Sequence, residues 1–210
     1  MARRIVARSV ALFAAALLFL TACGPTLEKP VTSISEIGPD SVIVVGRLDL
    51  VPPLRPNEQQ IRAGTIDPFG LGDTMRDRGW LWFGRSAETP TEKGDVILNP
   101  TLGQLYFFRL PKGEPYMLGG FIRVQFNLNL TGPRRVATEE ARIEIAGGLR
   151  YDIRPGDKAI YVGTLRLRRD EFNEVVKADI VDEYESAAGE FKKRFGPDTP
   201  LRKAIPQPQT

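Results

Sequence analysis

The 210-residue sequence predicts a mainly β protein, an antiparallel β-sandwich with one C-terminal amphipathic helix. Three observations carry that expectation. Short runs rich in β-branched and aromatic residues recur between Gly/Pro turn signals. Several of these runs alternate apolar with charged residues at period two, the pattern of a strand with one buried face. One stretch near the C-terminus has apolar residues spaced for a single helical stripe.

In chain order, Arg3, Arg4 and Arg8 precede an apolar run, Val10 to Leu20, and then small residues. A basic start, an apolar middle and small residues make a secretory signal. The run is shorter than the ~20 residues that span a bilayer. Leu20-Thr21-Ala22-Cys23 resembles the lipobox of bacterial lipoproteins, and Cys23 is the single cysteine of the chain. The resemblance implies cleavage after residue 22 and acyl chains on Cys23. The membrane is then the first expected partner, and the location is a bacterial cell envelope. Gly24 in place of Asp points to the outer membrane. Two or more acyl chains make such an anchor firm. Residues 23–40 are rich in Pro, Ser, Thr and Gly and read as the lipidated cysteine and a flexible tether.

Residues 41–196 read as the sandwich with its helix. Ser41 to Leu50 is nearly continuous in β-branched residues, so a strand buried on both faces is expected, with Gly46 marking a bulge or a close approach. Leu54 to Gly79 is broken repeatedly by Pro and Gly and reads as short strands and long loops. Its Gly70-Leu71-Gly72 lacks the setting of a phosphate loop. Trp80-Leu81-Trp82-Phe83 reads as a core or sheet-facing strand, the functional alternative being an aromatic platform for sugar rings or a partner. Val96 to Asn99, Gln104 to Leu110, Tyr116 to Gly119 and Gly120 to Leu130 read as strands. Gly119-Gly120 is expected to bend or bulge the chain. Thr131 to Glu140 reads as a loop.

Ile143 and Ile145 alternate with Arg142 and Glu144. Leu149, Tyr151 and Ile153 alternate with Arg150, Asp152 and Arg154, and Leu165 and Leu167 with Arg166 and Arg168. Arg154-Pro155-Gly156-Asp157 has the composition of a type II turn, so residues 149–168 are expected to form a hairpin. Phe172 to Ile180 fits both periods, and its second half is read as a strand. Val181, Tyr184, Ala188, Phe191 and Phe195 form the apolar stripe of a helix over Asp182 to Phe195, acidic at its start and basic at its end. Residues 197–210, with Pro200, Pro206 and Pro208, read as a disordered tail.

Composition excludes several function classes. The chain has no histidine, which removes Ser-His-Asp triads, histidine zinc sites and imidazole proton shuttles. Its only thiol would be acylated, which removes thiol catalysis. Lys+Arg total 29 against 26 Asp+Glu, and the excess is Arg3, Arg4 and Arg8 of the signal. The processed chain is therefore balanced, and no nucleic-acid partner is implied. No metal site and no cofactor are expected.

Leu110-Pro111-Lys112-Gly113-Glu114-Pro115-Tyr116 and Arg154-Pro155-Gly156-Asp157-Lys158-Ala159-Ile160-Tyr161 share a plan in which a Pro/Gly turn is followed by a tyrosine. This resembles the turns of transthyretin-like and carboxypeptidase-regulatory-like β-sandwiches. Asp152 to Phe195, with Tyr161-Val162-Gly163 and a following helix, resembles the C-terminal part of uncharacterised bacterial lipoproteins with such a domain. The first turn departs from the pattern, since two residues separate Gly113 from Tyr116 instead of one, and the second gap is longer. The resemblance implies a binding or structural module and brings no functional residues.

The expected function is a noncatalytic, lipid-anchored envelope module that binds or scaffolds an envelope protein or a glycan. Arg150, Arg154, Arg166 and Arg168 are the candidate surface for an anionic ligand or partner, if the expected hairpin puts them on one face. The plainer reading of these arginines is outward residues of amphipathic strands, balanced by Asp152 and Asp170. The competing class is a glycan hydrolase, which needs two carboxyls about 5–10 Å apart. No acidic pair is set apart by its surroundings: Glu139-Glu140 lies in a loop, and Asp182-Glu183 is explained by the helix start. A protease or lysozyme inhibitor with a protruding loop within Leu54 to Gly79 is the third class.

Overall fold

The computed structural model describes residues 25–54, 78–127 and 136–206. The signal segment, Cys23, Gly24, most of the Leu54 to Gly79 segment and residues 207–210 lie outside the described residues.

Among the described residues, ten strands form two facing sheets. They are β1 (Thr26–Leu27), β2 (Ser41–Val51), β3 (Gly79–Gly84), β4 (Val96–Leu98), β5 (Leu105–Pro111), β6 (Tyr116–Asn127), β7 (Val136–Arg150), β8 (Ala159–Arg169), β9 (Val175–Val181) and β10 (Arg202–Lys203). The helix α1 (Tyr184–Phe195) follows β9. The first sheet has the order β1-β4-β3-β6-β7. In the second, β8 lies between β2 and an edge shared by β9 and β10, and β5 lies beyond β2. The expected mainly β sandwich with a C-terminal helix is the observed fold. The sheets are mixed, however, because β1·β4, β2·β8 and β10·β8 run parallel.

Two cores result. Val42, Val44, Leu48 and Leu50 of β2, with Ile160, Val162, Leu165 and Leu167 of β8, meet Leu81, Phe83, Ile122 and Ile143 of the first sheet. The other side of the second sheet offers Ile43, Val45, Phe107 and Tyr161 to Ala187 and Phe191 of α1. Of the expected stripe, Tyr184, Ala188, Phe191 and Phe195 lie on α1, joined by Ala187, whereas Val181 ends β9 and the helix begins at Tyr184 and not at Asp182. Gly46 sits where the β2·β8 register shifts, and a Cβ there would meet the Tyr106 hydroxyl at 2.5 Å and the Gly163 carbonyl at 2.9 Å.

Residues 149–168 are not a hairpin. β7 belongs to the first sheet and β8 to the second, so the Arg154-Pro155-Gly156-Asp157 turn carries the chain across the sandwich. The Pro111-Lys112-Gly113 turn does the same between β5 and β6. The two crossings are neighbours. Tyr151 donates its N–H to the Pro115 carbonyl at 2.8 Å. Lys112 Nζ reaches the carbonyls of Pro39 at 2.8 Å and Pro155 at 2.7 Å. A Pro/Gly turn fixes a change of direction, and the faces of the flanking strands decide which sheet each joins. Of the expected Thr131 to Glu140 loop, residues 136–140 belong to β7, and residues 131–135 lie outside the described residues.

Residues 25–40 are not a tether from Pro25 onward. β1 pairs with β4, Pro30 bridges to Phe108, and the Val31 N–H donates to the Phe107 carbonyl at 2.7 Å. The segment thus closes one side of the sandwich by joining both sheets. Glu28 is buried there and accepts two hydrogen bonds from Arg109, each 3.2 Å long. Val31 and Ile37 are buried beside α1, and Ser33 and Glu36 form a capping box on a short 3-10 turn. Hydrophobic burial outweighs the polar composition that suggested a tether.

The C-terminal segment is likewise ordered to residue 206. β10 pairs with β8, Ala204 is buried, and the Tyr184 hydroxyl donates to the Leu201 carbonyl at 2.7 Å. Arg202 Nε donates to Asp157 at 2.9 Å, tying this strand to the second crossing.

Two outcomes test these corrections. A chain started at Ser41 is expected to lose about 3 kcal/mol or more, since burying Val31 and Ile37 contributes about 1.5–3 kcal/mol each. A falling urea midpoint shows this, and a true tether would leave the midpoint unchanged. The second outcome concerns acid. Asp157 has a pKa held below its ordinary 3.8, first by the hydrogen bond from Arg202. Its contribution is complete above pH 3.8 and is lost as pH falls through the lowered native value. Asp157→Asn is therefore expected to flatten the acid limb of the urea midpoint against pH.

Candidate functional site

The outer face of the first sheet is built by strand alternation. In β3, Leu81 and Phe83 enter the core, so Trp80 and Trp82 point outward and are half-buried. Their cross-strand partners set the rest. One row runs Trp80, Phe121, Arg142 over β3, β6 and β7. The next runs Leu27, Ile97, Trp82, Gly119, Glu144 over five strands. Directly opposed residues share a face, so both rows stand on one surface.

The rings are ordered by one another. Phe121 stacks on Trp80 with centroids 4.6 Å apart and planes 9° apart, and lies 5.0 Å from Trp82. Trp82 is also held from the far side, since a Cβ on Gly94 would meet its Cβ at 3.0 Å and its Cδ1 at 3.1 Å. Gly119 stands between Trp82 and Glu144 in the second row. It has φ of 142°, and a side chain there would meet the Ile143 carbonyl at 2.5 Å, so only glycine fits. The β6 register shifts against both neighbours between Met117 and Gly119, just ahead of the Gly119-Gly120 pair where a bulge was expected, and the two glycines themselves pair in regular register.

The result is a notch of about 380 Å³ lined by Trp82, Thr91, Phe121, Arg142 and Glu144. That volume lies in the range of small-ligand clefts, which combine aromatic walls with a few placed polar groups. Thr91 donates its hydroxyl to the Leu118 carbonyl at 3.1 Å, which fixes the rim. Arg142 and Glu144 are exposed and also border a groove of about 470 Å³ running to Glu174 and to Val175, Val176, Lys177 and Ala178 of β9. One guanidinium and one carboxylate therefore flank an aromatic wall at the junction of two clefts. Among the described residues no group of three His, Cys, Asp or Glu is placed to hold a metal ion.

The four arginines singled out from sequence fall into two places. Arg150 ends β7, exposed, 5.9 Å from the Tyr116 ring. Arg154 lies in the crossing turn and bonds Asp152 at 3.1 Å. Arg166 and Arg168 share the outer face of the second sheet. Arg166 sits between Asp49 at 3.6 Å and Glu183 at 3.4 Å, and Arg168 pairs with Asp179 at 3.4 Å. The hairpin that would have put all four on one face is not formed, because β7 and β8 belong to different sheets. Glu183 gathers the second pair's surroundings. It also binds Arg47 at 3.0 Å and the Thr164 hydroxyl at 2.8 Å, and its N–H donates to the Tyr161 hydroxyl at 2.8 Å. These contacts fasten the start of α1 to β2 and β8.

Cys23, the candidate lipidation site, lies outside the described residues. Among the described residues no helix is long and apolar enough to cross a membrane. Comparison with protein-family models, curated proteins and solved structures finds no match.

Trp80 and Trp82 were read from sequence as strand residues, which they are. Phe121, Arg142 and Glu144 were not linked to them, because only the pairing of β3, β6 and β7 brings them together. The lone visible signal was the outward parity of the two tryptophans.

Truncating Glu183 to Ala is expected to cost about 1–2 kcal/mol, since Arg47 and Arg166 are left half-buried beside each other. Arg154→Ala, at an exposed pair, is expected to stay within about 0.5 kcal/mol. Urea denaturation of both variants checks the contrast.

Proposed function

We propose that this protein is a noncatalytic, lipid-anchored module of the bacterial envelope that binds a glycan in the notch of its first sheet. The observation that carries the reading is the half-buried Trp82 and Phe121 wall flanked by Arg142 and Glu144. A pyranose ring presents an apolar C–H face that covers an indole, while its polar edge needs hydrogen-bond partners. An N-acetylated hexosamine fits this set of groups. Its amide N–H is a donor for the Glu144 carboxylate, and its carbonyl is an acceptor for the Arg142 guanidinium.

Binding is favoured over hydrolysis by the acid inventory of the notch. Glu144 is the one carboxylate among the described residues that line it, and the usual glycosidase chemistry uses two. The anchor rests on the lipobox-like Leu20-Thr21-Ala22-Cys23 and on the signal before it. Outer-membrane placement rests on Gly24.

The chain has two tryptophans, Trp80 and Trp82, and both stand on this face. Intrinsic fluorescence therefore reports on the site directly. Chitobiose is expected to shift the emission of the wild-type protein in a saturable way. Trp82→Ala and Glu144→Gln are each expected to weaken binding about tenfold or more, a loss of about 1.4 kcal/mol, with folding intact. No response to chitobiose or to other soluble saccharides would overturn the glycan reading.

A further inference from the structure

The N-terminal segment ties the notch to the anchor, and that tie bears on where the sugar comes from. The Thr26 N–H donates to the Asp95 carbonyl and the Glu28 N–H to the Ile97 carbonyl, each at 2.9 Å. The sandwich thus begins three residues after Cys23. Three residues span at most about 10 Å. Leu27 begins the cross-strand row that passes through Ile97 to Trp82. Neighbouring strands are about 4.8 Å apart, so Trp82 lies about 10 Å from Leu27 and Glu144 about 19 Å.

An acylated Cys23 would therefore hold the β1 edge in the headgroup region and the notch close beside it. The outer face of the first sheet has the character of a surface for that place. Leu27 is a large apolar side chain and is 53% exposed. Ile97 is half-buried, and the Trp82, Phe121 and Trp80 rings follow it across the face. Tryptophan is enriched where one side of a residue meets lipid and the other meets water.

We infer that this face lies against the leaflet that holds the acyl chains, and that the notch takes the sugar headgroup of a glycolipid displayed in the same leaflet. The inference rests on the proposed acylation of Cys23 and on the proposed sugar site. It adds the orientation of the sandwich and the membrane-borne source of the sugar. A ligand in the plane of the anchor is met at a high effective concentration, which a ligand free in solution is not.

The test uses the full-length protein purified with its acyl chains and reconstituted in phosphatidylethanolamine–phosphatidylglycerol vesicles. Mass spectrometry of the N-terminal peptide reads acylation first. Vesicles with brominated acyl chains then read the depth of the two tryptophans by quenching. A third arm compares chitobiose in solution with chitobiosyl diacylglycerol in the vesicle. The expected results are quenching by the brominated lipid and about a hundredfold tighter apparent binding of the membrane-borne sugar. A long Gly-Ser insertion between Gly24 and Pro25 should remove the quenching and leave the affinity for free chitobiose unchanged.

Each contrary result has its own meaning. An unacylated Cys23 removes both the anchor and this orientation. An acylated but unquenched protein that still binds free chitobiose overturns the orientation and leaves the sugar site standing. Equal affinity for free and membrane-borne chitobiose overturns the glycolipid source. Quenching without any chitobiose response leaves a membrane-facing surface and removes the sugar from it.

Discussion

The parallel pairing of β2 with β8 is the constraint on which the other parts depend. Both strands are buried on two sides at their paired beginnings, by the first sheet and by α1. Their later halves still pack inward through Leu48, Leu50, Leu165 and Leu167, but their outward residues are Arg47, Asp49, Arg166 and Arg168. The register shift between Val45 and Arg47 makes this possible. Gly163, at φ of 94°, stands in the extra length of β8 and resets its alternation, so Tyr161 and Thr164 both face outward. Without that reset, the arginines would turn into the core. At the same point the outer edge of β8 changes partners, from β10 to β9.

That arrangement explains where the charges are. The charged half of the second sheet lies beside the start of α1, and Glu183 collects Arg47, Arg166 and Thr164 there. At the far end of the helix Arg194 donates to the Val31 carbonyl at 3.0 Å and lies 4.8 Å from the Phe107 ring. Cationic side chains in the last turn also complement the helix dipole. The ion pairs are therefore employed in holding the helix and the N-terminal segment to one sheet. A basic stripe reaching for an external anion is not what their geometry provides.

Local signals in the sequence carried much of this fold and less of its connectivity. The alternation in Leu165 to Arg168 and the stripe of α1 identified inward and outward residues, because a side chain's direction follows from local geometry alone. Pairing is not local. Arg154-Pro155-Gly156-Asp157 turns the chain whether the next strand returns to the same sheet or crosses to the other. The terminal segments were misread for a related reason. Pro, Ser and Thr favour loops, yet Val31, Ile37 and Ala204 are buried between elements distant in sequence. The site shows the same boundary: Trp80 and Trp82 were legible as a strand, while Phe121, Arg142 and Glu144 join them only through β6 and β7.

A two-layer sandwich has two outer faces, and here they differ in kind. The second sheet's outer face is covered by α1 at one end and by paired charges at the other. The first sheet keeps two tryptophans and a phenylalanine partly open to solvent beside the notch. Aromatic rings on a strand gain most when they are covered, and the inner positions of β3 were available for them. Leu81 and Phe83 occupy those positions instead. Strand parity therefore sets the two indoles outward, where stacking on Phe121 orders them and Arg142 and Glu144 stand beside them in the same rows. The row that holds Trp82 leads back through Ile97 to Leu27 of β1, so the N-terminal segment and this aromatic face belong to one continuous surface of the first sheet.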